Sequence, residues 1–244
     1  MQDSILILGA KSDIGIEIAH QFAKTGYSIQ LAARKVSSLE PEKEKLKTKY
    51  NIDVSLHEFD ALDTSNHLKF VNDLPALPSI AISTIGVLGK QIENEKNINN
   101  AINEIRSNFE GPISILSILA NKFEDRGTGT LVGLSSVAGE RGRGKNYFYG
   151  SAKAGFTTFL SGLRNRLSKK NIHVLTVIPG YVATKMTKEM NLPNFLTAKP
   201  DKVASDIFKA IMKKKNIIYT PMIWKIIVMF LKIIPENIFK NNKI

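Results

Sequence analysis

The chain has 244 residues, no cysteine and a formal net charge of +12. That length fits one large domain that can bury most of its apolar surface unaided, and the lack of thiols excludes a disulfide framework and any cysteine-ligated metal. From Lys185 onward twelve lysines stand against four acids (Glu189, Asp201, Asp206 and Glu236), so an anionic partner is expected. Membrane surface or anionic substrate ranks ahead of nucleic acid, because no aromatic-interleaved basic patch or recognition motif is present.

Residues 1–10 hold a short apolar run without a basic leader, and so read as a first strand and not as an export signal. Ser4–Leu8, Ser-Ile-Leu-Ile-Leu, is the run that a strand buried on both faces requires. It leads into Gly9-Ala10-Lys11-Ser12-Asp13-Ile14-Gly15 and an amphipathic helix to about residue 24. Strand, glycine turn and helix together aim backbone N–H groups at a pyrophosphate. Gly9, Lys11, Ser12, Asp13, Ile14 and Gly15 are therefore candidate dinucleotide contacts, with an ordinary tight turn as the plainer alternative.

Residues 27–33 form the second strand, which ends Ala32-Ala33-Arg34-Lys35. An acid at this end would hold a ribose 2′-hydroxyl, whereas a neutral residue and two cations suit a 2′-phosphate. NADP is thus favoured over NAD, with Arg34 the stronger contact and Lys35 the second. Residues 36–50 read as a charged, solvated helix and 53–59 as the third strand, with Asp60 and Ala61 near the expected adenine. Asp63 is placed to cap the next helix. The fourth strand, 79–84, ends at Gly86, where the backbone passes close to the cofactor. Two helices are expected over 97–108 and 112–123, separated by Gly111-Pro112, with Asn108 at the junction as a helix cap or as the holder of a water.

Gly129–Leu134 reads as a buried strand closed by Ser135-Ser136. Tyr149 follows Ser136 by thirteen residues and precedes Lys153 by four, at the head of a helix running to about residue 168. Four residues make one helical turn, so phenol and ammonium share a face. A free phenol titrates at about 10 and an adjacent cation lowers that value; Ser136 could bond a carbonyl oxygen gaining negative charge. Residues 173–178 form a further strand closed by Pro179-Gly180-Tyr181-Val182-Ala183-Thr184, where Pro179, Gly180, Val182 and Thr184 would meet a nicotinamide carboxamide or a phosphate. A helix over 201–214 and a short strand over 217–219 complete a doubly wound parallel α/β sheet. The four histidines (His20, His57, His67, His173) lack ligand spacing, so no metal site is expected.

Residues 221–244 form an apolar and basic extension, in which Lys225, Lys232 and Pro235 disfavour a membrane-spanning helix. An interfacial segment with Trp224 and flanking lysines fits it, alongside a core helix, a substrate lid or an oligomer interface.

Taken together, the Gly9–Gly15 turn, Asn108, Ser136, Tyr149, Lys153 and Pro179-Gly180 with Thr184 resemble the short-chain dehydrogenase/reductase family over residues 4–219. The resemblance implies a single-domain Rossmann fold, a cytoplasmic dimer or tetramer, and hydride transfer from the pro-S face of NAD(P)H to a carbonyl. In it Ser136, Tyr149 and Lys153 are catalytic, Asn108 anchors a water relay, Gly86 lies by the cofactor, and Tyr149 and Lys153 also contact the nicotinamide ribose. Two departures stand out: Asp13 replaces the middle glycine, where it can cap the first helix, and Ser83-Thr84-Ile85-Gly86 replaces an Asn-Asn-Ala-Gly turn. With residues 86–91, 135–146, 161–164 and 184–187 they resemble the decaprenylphosphoryl-2-keto-ribose reductase subgroup. That implies a lipid-linked keto-sugar substrate, a flavin-dependent oxidase as partner and peripheral membrane contact. A reductase of 3-oxoacyl or soluble ketones, and a dinucleotide-binding regulator without turnover, are the alternatives.

Overall fold

The computed structural model describes residues 3–241. Its centre is a parallel sheet built from β1 Ser4–Leu8, β2 Ser28–Ala33, β3 Val54–Glu58, β4 Ile80–Ser83, β5 Gly129–Leu134, β6 Ile172–Pro179 and β9 Ile217–Thr220. These seven strands lie in the order β3-β2-β1-β4-β5-β6-β9. A two-residue pair, β7 Tyr181–Val182 with β8 Thr197–Ala198, forms a separate ribbon that the sequence did not announce.

Alternation along β1 explains the layers. Ile5 and Ile7 enter one core with Ile18 and Phe22 of α1 (Asp13–Ala23), Leu46 of α2 (Glu40–Tyr50) and Ile207 of α8 (Pro200–Met212). Leu6 and Leu8 enter the other with Val71 of α3 (His67–Asn72), Leu119 and Phe123 of α6 (Gly111–Arg126) and Phe156 and Leu160 of α7 (Tyr147–Leu167). A strand apolar on both faces can only be an interior strand with helices on each side. The result is the expected single-domain, doubly wound α/β fold, with its topological switch point between β1 and β4, where such sheets open a ligand crevice.

Three local readings are corrected. The charged segment after β2 is split: Lys35 adopts a left-handed conformation (φ 51°), a 3-10 turn covers Val36–Leu39, and α2 begins only at Glu40. The Asp63 carboxylate accepts from the side chains of Ser65 and Asn66 (2.9 and 2.7 Å) and makes no helix-cap bond to the backbone. Gly111-Pro112 does not break the helical run. After α4 (Gln91–Lys96), one rod runs from α5 (Ile98–Ile105) through a π turn (Arg106–Glu110) into α6, the Gly111 N–H bonding Arg106 O five residues back. Proline is tolerated in the first turn of a helix, and α6 restarts there. Gly111 is required for packing, since an added Cβ would lie 2.3 Å from Ala61 O.

The extension after β9 folds as α9 (Ile223–Ile233) and α10 (Glu236–Phe239); its last three positions, 242–244, lie outside the described residues. Trp224 and Val228 pack with Val137 and Ile178. The Arg141 guanidinium donates to the carbonyls of Leu231 and Ile234 and lies 3.7 Å from the Phe239 ring. Among the described residues no helix is long and apolar enough to cross a membrane.

Candidate active site

A cleft of about 800 Å³ opens at the carboxyl ends of β1, β2, β4, β5 and β6. Of the residues singled out from the sequence, Gly9, Lys11, Ser12, Asp13, Ile14, Arg34, Lys35, Asp60, Ala61, Gly86, Ser136, Tyr149, Lys153, Pro179, Gly180, Val182 and Thr184 line it. Gly15 and Asn108 do not; each acts from behind the wall.

At the glycine turn, Gly9 has φ +82°, and a Cβ there would meet Ile85 N and Thr84 Oγ1 at 3.0 Å. Ser12, not Asp13, is the helix N-cap: its Oγ accepts the Gly15 N–H at 3.0 Å. Asp13 is the first helical residue, where the helix dipole favours an acid, and its carboxylate turns across the cleft to accept the Lys185 backbone N–H at 2.7 Å. The altered turn after β4 also has a task. Thr84 Oγ1 lies within bonding distance of Leu8 O, Gly9 O and Ser12 Oγ (3.0, 2.9 and 3.0 Å), fixing the turn that faces it.

At the adenine end, the Glu58 carboxylate accepts the N–H groups of Lys35 and Val36 at 2.6 and 2.9 Å, and these bonds hold it below the usual carboxylate range. The bend following Arg34 is thereby pinned, while the Arg34 guanidinium makes no ion pair among the described residues. Asp60 caps its own loop by accepting Leu62 N–H at 3.0 Å.

At the opposite end, β5 stops at Leu134 and Ser135 Oγ bonds Lys153 O and Thr157 Oγ1 (3.0 and 2.6 Å), tying α7 to the sheet. The loop after Ser136 backs onto α7 through two glycines: a Cβ on Gly139 would lie 2.6 Å from Ala154 N, and one on Gly150 2.7 Å from Ala138 O. This close approach brings Tyr149 and Lys153 to Ser136, whose hydroxyl hydrogen-bonds the phenol. Lys153 is 2% exposed; its Nζ donates to Leu134 O (3.1 Å) and Ile85 O (3.3 Å) and lies 5.7 Å from the Tyr149 ring centroid.

The electrostatics differ from the expectation of a phenol lowered by its lysine. Burial pushes Tyr149 up to about 12, the Ser136 hydrogen bond opposes this, and the Glu104 charge adds to the rise. Burial pushes Lys153 down to about 7. In the free protein desolvation dominates the Tyr149 shift, so the phenol is held firmly protonated.

Asn108 is fully buried inside the π turn, and it is not a helix cap. Its Nδ2 donates to Val87 O (2.7 Å) and Glu104 O (2.8 Å), and its Oδ1 accepts Val87 N–H at 3.3 Å. The side chain therefore clamps the loop after Gly86, with one acceptor site of Oδ1 left over. Glu104, one turn earlier and 4% exposed, continues the clamp by accepting Gly89 N–H at 2.8 Å and Asn94 Nδ2. Sequence reasoning missed Glu104; an acid four residues before a singled-out asparagine, on a helix face, was the available signal. It also missed Arg143, Asn146, Met186 and Met190 in the cleft, which lie on loops or, for Met186, in a 3-10 turn too short for periodicity.

Thr184 is committed to a capping box with Thr187. Gly180 lies under the indole of Trp224, which an added Cβ would strike at 1.8 Å, and Trp224 Nε1 donates to Leu196 O at 2.9 Å. The extension thus shapes the wall of the cleft through Tyr181, edge-on to Trp224 at 5.0 Å between centroids. A dinucleotide fits these residues: the side-chain-free Gly9 and Gly86 and the unpaired Arg34 lie along one cleft.

The sequence profile of short chain dehydrogenases matches residues 3–194. An uncharacterized oxidoreductase of Mycobacterium tuberculosis is 33% identical over 240 residues, spanning 97% of this chain and 96% of that protein. An NADP-dependent 3-hydroxy acid dehydrogenase of Schizosaccharomyces pombe is 27% identical over 230 residues, spanning 88% and 89%. A solved short-chain dehydrogenase from Sphingobium yanoikuyae in complex with NADPH shares the fold, with a TM-score of 0.80 at 20% identity over 96% of this chain and 97% of that one.

Proposed function

The chain belongs to the short-chain dehydrogenase/reductase family of oxidoreductases, and on that premise we propose that it is an NADPH-dependent reductase of a ketone. The observation that carries this reading is the convergence of the Tyr149 phenol, the Ser136 hydroxyl and the Lys153 amine at one end of the cleft. Arg34 at the other end, and the NADP named for the yeast relative and the Sphingobium structure, favour the phosphorylated dinucleotide.

Gly9, Lys11, Ser12 and Ile14 would hold its pyrophosphate, Arg34 and Lys35 its 2′-phosphate, Asp60 and Ala61 its adenine side, and Gly86, Pro179, Gly180, Val182 and Thr184 its nicotinamide side. Bound there, NADPH supplies a hydride to the carbonyl carbon. Ser136 hydrogen-bonds the carbonyl oxygen as charge grows on it. Tyr149 gives that oxygen its proton, a step that suits a phenol held protonated. With a dinucleotide bound, Lys153 would bond the nicotinamide ribose and, when charged, would favour the phenolate. Asn108 acts as a positioning residue, fixing Val87 beside Gly86, and the remaining lone pair of its Oδ1 could hold a relay water.

For the substrate we favour the 2-keto group of a polyprenyl-phosphoryl pentose, made from the 2-hydroxyl by a flavin-dependent oxidase. Support comes from the subgroup resemblance and from a substrate end that combines Met186, Met190 and Tyr181 with Arg143 and Lys185, a chemistry matched to an isoprenoid phosphate. The test is NADPH consumption with that keto-pentose beside 3-oxoacyl thioesters and simple ketones. Turnover confined to the latter would move the substrate. Dinucleotide binding without oxidation by any ketone would leave a regulator and end the reductase reading.

A further inference from the structure

The helix α9 has two apolar faces, and only one is used by the fold. Trp224 and Val228 are 4% and 3% exposed against the sheet, whereas Met222, Ile223, Ile226, Met229, Phe230 and Ile233 are 59, 45, 50, 57, 57 and 70% exposed. Their spacing of three and four residues draws a continuous outer stripe. None of these six lines the cleft, so the stripe is not the inner surface of a lid.

Charge selects the occupant. Lys225 and Lys232 lie on the helix beside the stripe, Lys232 already paired with Glu140, Lys240 follows α10, and Glu236, the one acid between Met222 and Asn241, pairs with Arg141 at 3.0 Å. A two-fold copy docked here would bring these lysines against their own kind on a chain of net charge +12. An anionic lipid surface instead satisfies stripe and cations together. At 11 residues the helix is about 16 Å long, roughly half a hydrocarbon core, so it can lie only in the plane of the interface.

We propose that the outer face of α9 seats this protein on an anionic bilayer, with the apolar stripe at the headgroup boundary and the lysines among the headgroups. The proposal does not depend on the substrate assigned above. In flotation of the full chain with phosphatidylcholine vesicles containing phosphatidylglycerol, the protein is expected to rise with the lipid, to rise far less with phosphatidylcholine alone, and to be released by salt. Ile226→Ser with Phe230→Ser should lower partitioning by about 10-fold or more, and Lys225→Glu by about 5-fold or more, while NADPH oxidation with a soluble ketone stays at the wild-type rate and reports an intact fold. Wild-type protein that stays in solution with the anionic vesicles overturns the proposal. So does a concentration-dependent dimer that the double serine variant dissociates without any vesicle binding. Flotation that persists while no ketone is reduced would count against the reductase reading alone.

Discussion

The Tyr149 phenol is held protonated by its environment: burial raises it to about 12, the Ser136 bond opposes that rise and the Glu104 charge reinforces it. Tyr149→Phe should lower turnover by about 10²–10⁴-fold while NADPH still binds, as followed by NADPH oxidation and a binding titration; near-normal turnover would remove the phenol from the chemistry. Arg34 faces the cleft without an ion pair, so Arg34→Ala should cost about 10–100-fold in kcat/KM for NADPH, the worth of a charge-assisted bond, and leave NADH almost untouched. Glu104 separates shape from charge. Glutamine can still accept Gly89 N–H and meet a rotated Asn94 amide, whereas alanine strands both partners in the interior. Glu104→Ala should therefore lose about 1–3 kcal/mol in urea unfolding and raise the KM for NADPH. Glu104→Gln should lose less than half of that; equal losses would show that the clamp is not what Glu104 contributes.

At the level of elements, strands were the most legible part of the chain. β1 and β5 have the bounds their apolar runs suggest, because a strand buried on both faces leaves no polar position to confuse the reading. The glycine turn and the Ser136, Tyr149 and Lys153 set were legible for a related reason: each depends on local spacing next to such a strand. The π turn was not. Gly111-Pro112 spells a break in any local reading, and only the contact with Ala61 O across the fold explains why the glycine is there. Gly111→Ala should thus push on a residue that lines the cleft, costing about 1–3 kcal/mol of stability, measured by thermal or urea unfolding; a neutral result would mean that the rod can shift aside. Glu104, Thr84 and Glu58 stayed hidden because their partners are backbone groups of other segments, which leave no periodic trace.

For the molecule as a whole, a lysine buried at the end of the sheet sets a pH signature. Lys153 titrates at about 7 when folded against 10.5 when free, so between those values the unfolded chain binds the extra proton and stability rises with pH. Below about 7 both states are charged and the full cost of burying the cation is felt. The unliganded protein should melt at a higher temperature at pH 9 than at pH 7, and the rise should be shallower in Lys153→Met; parallel curves would place the effect in the general loss of positive charge instead. The seating of Trp224 over Gly180 has a practical consequence for the whole fold. It is the sole tryptophan of the chain, beside the wall of the cleft. Its fluorescence is thus a built-in optical gauge of occupancy: a reduced dinucleotide arriving next door should quench it in a saturable way, with no label attached.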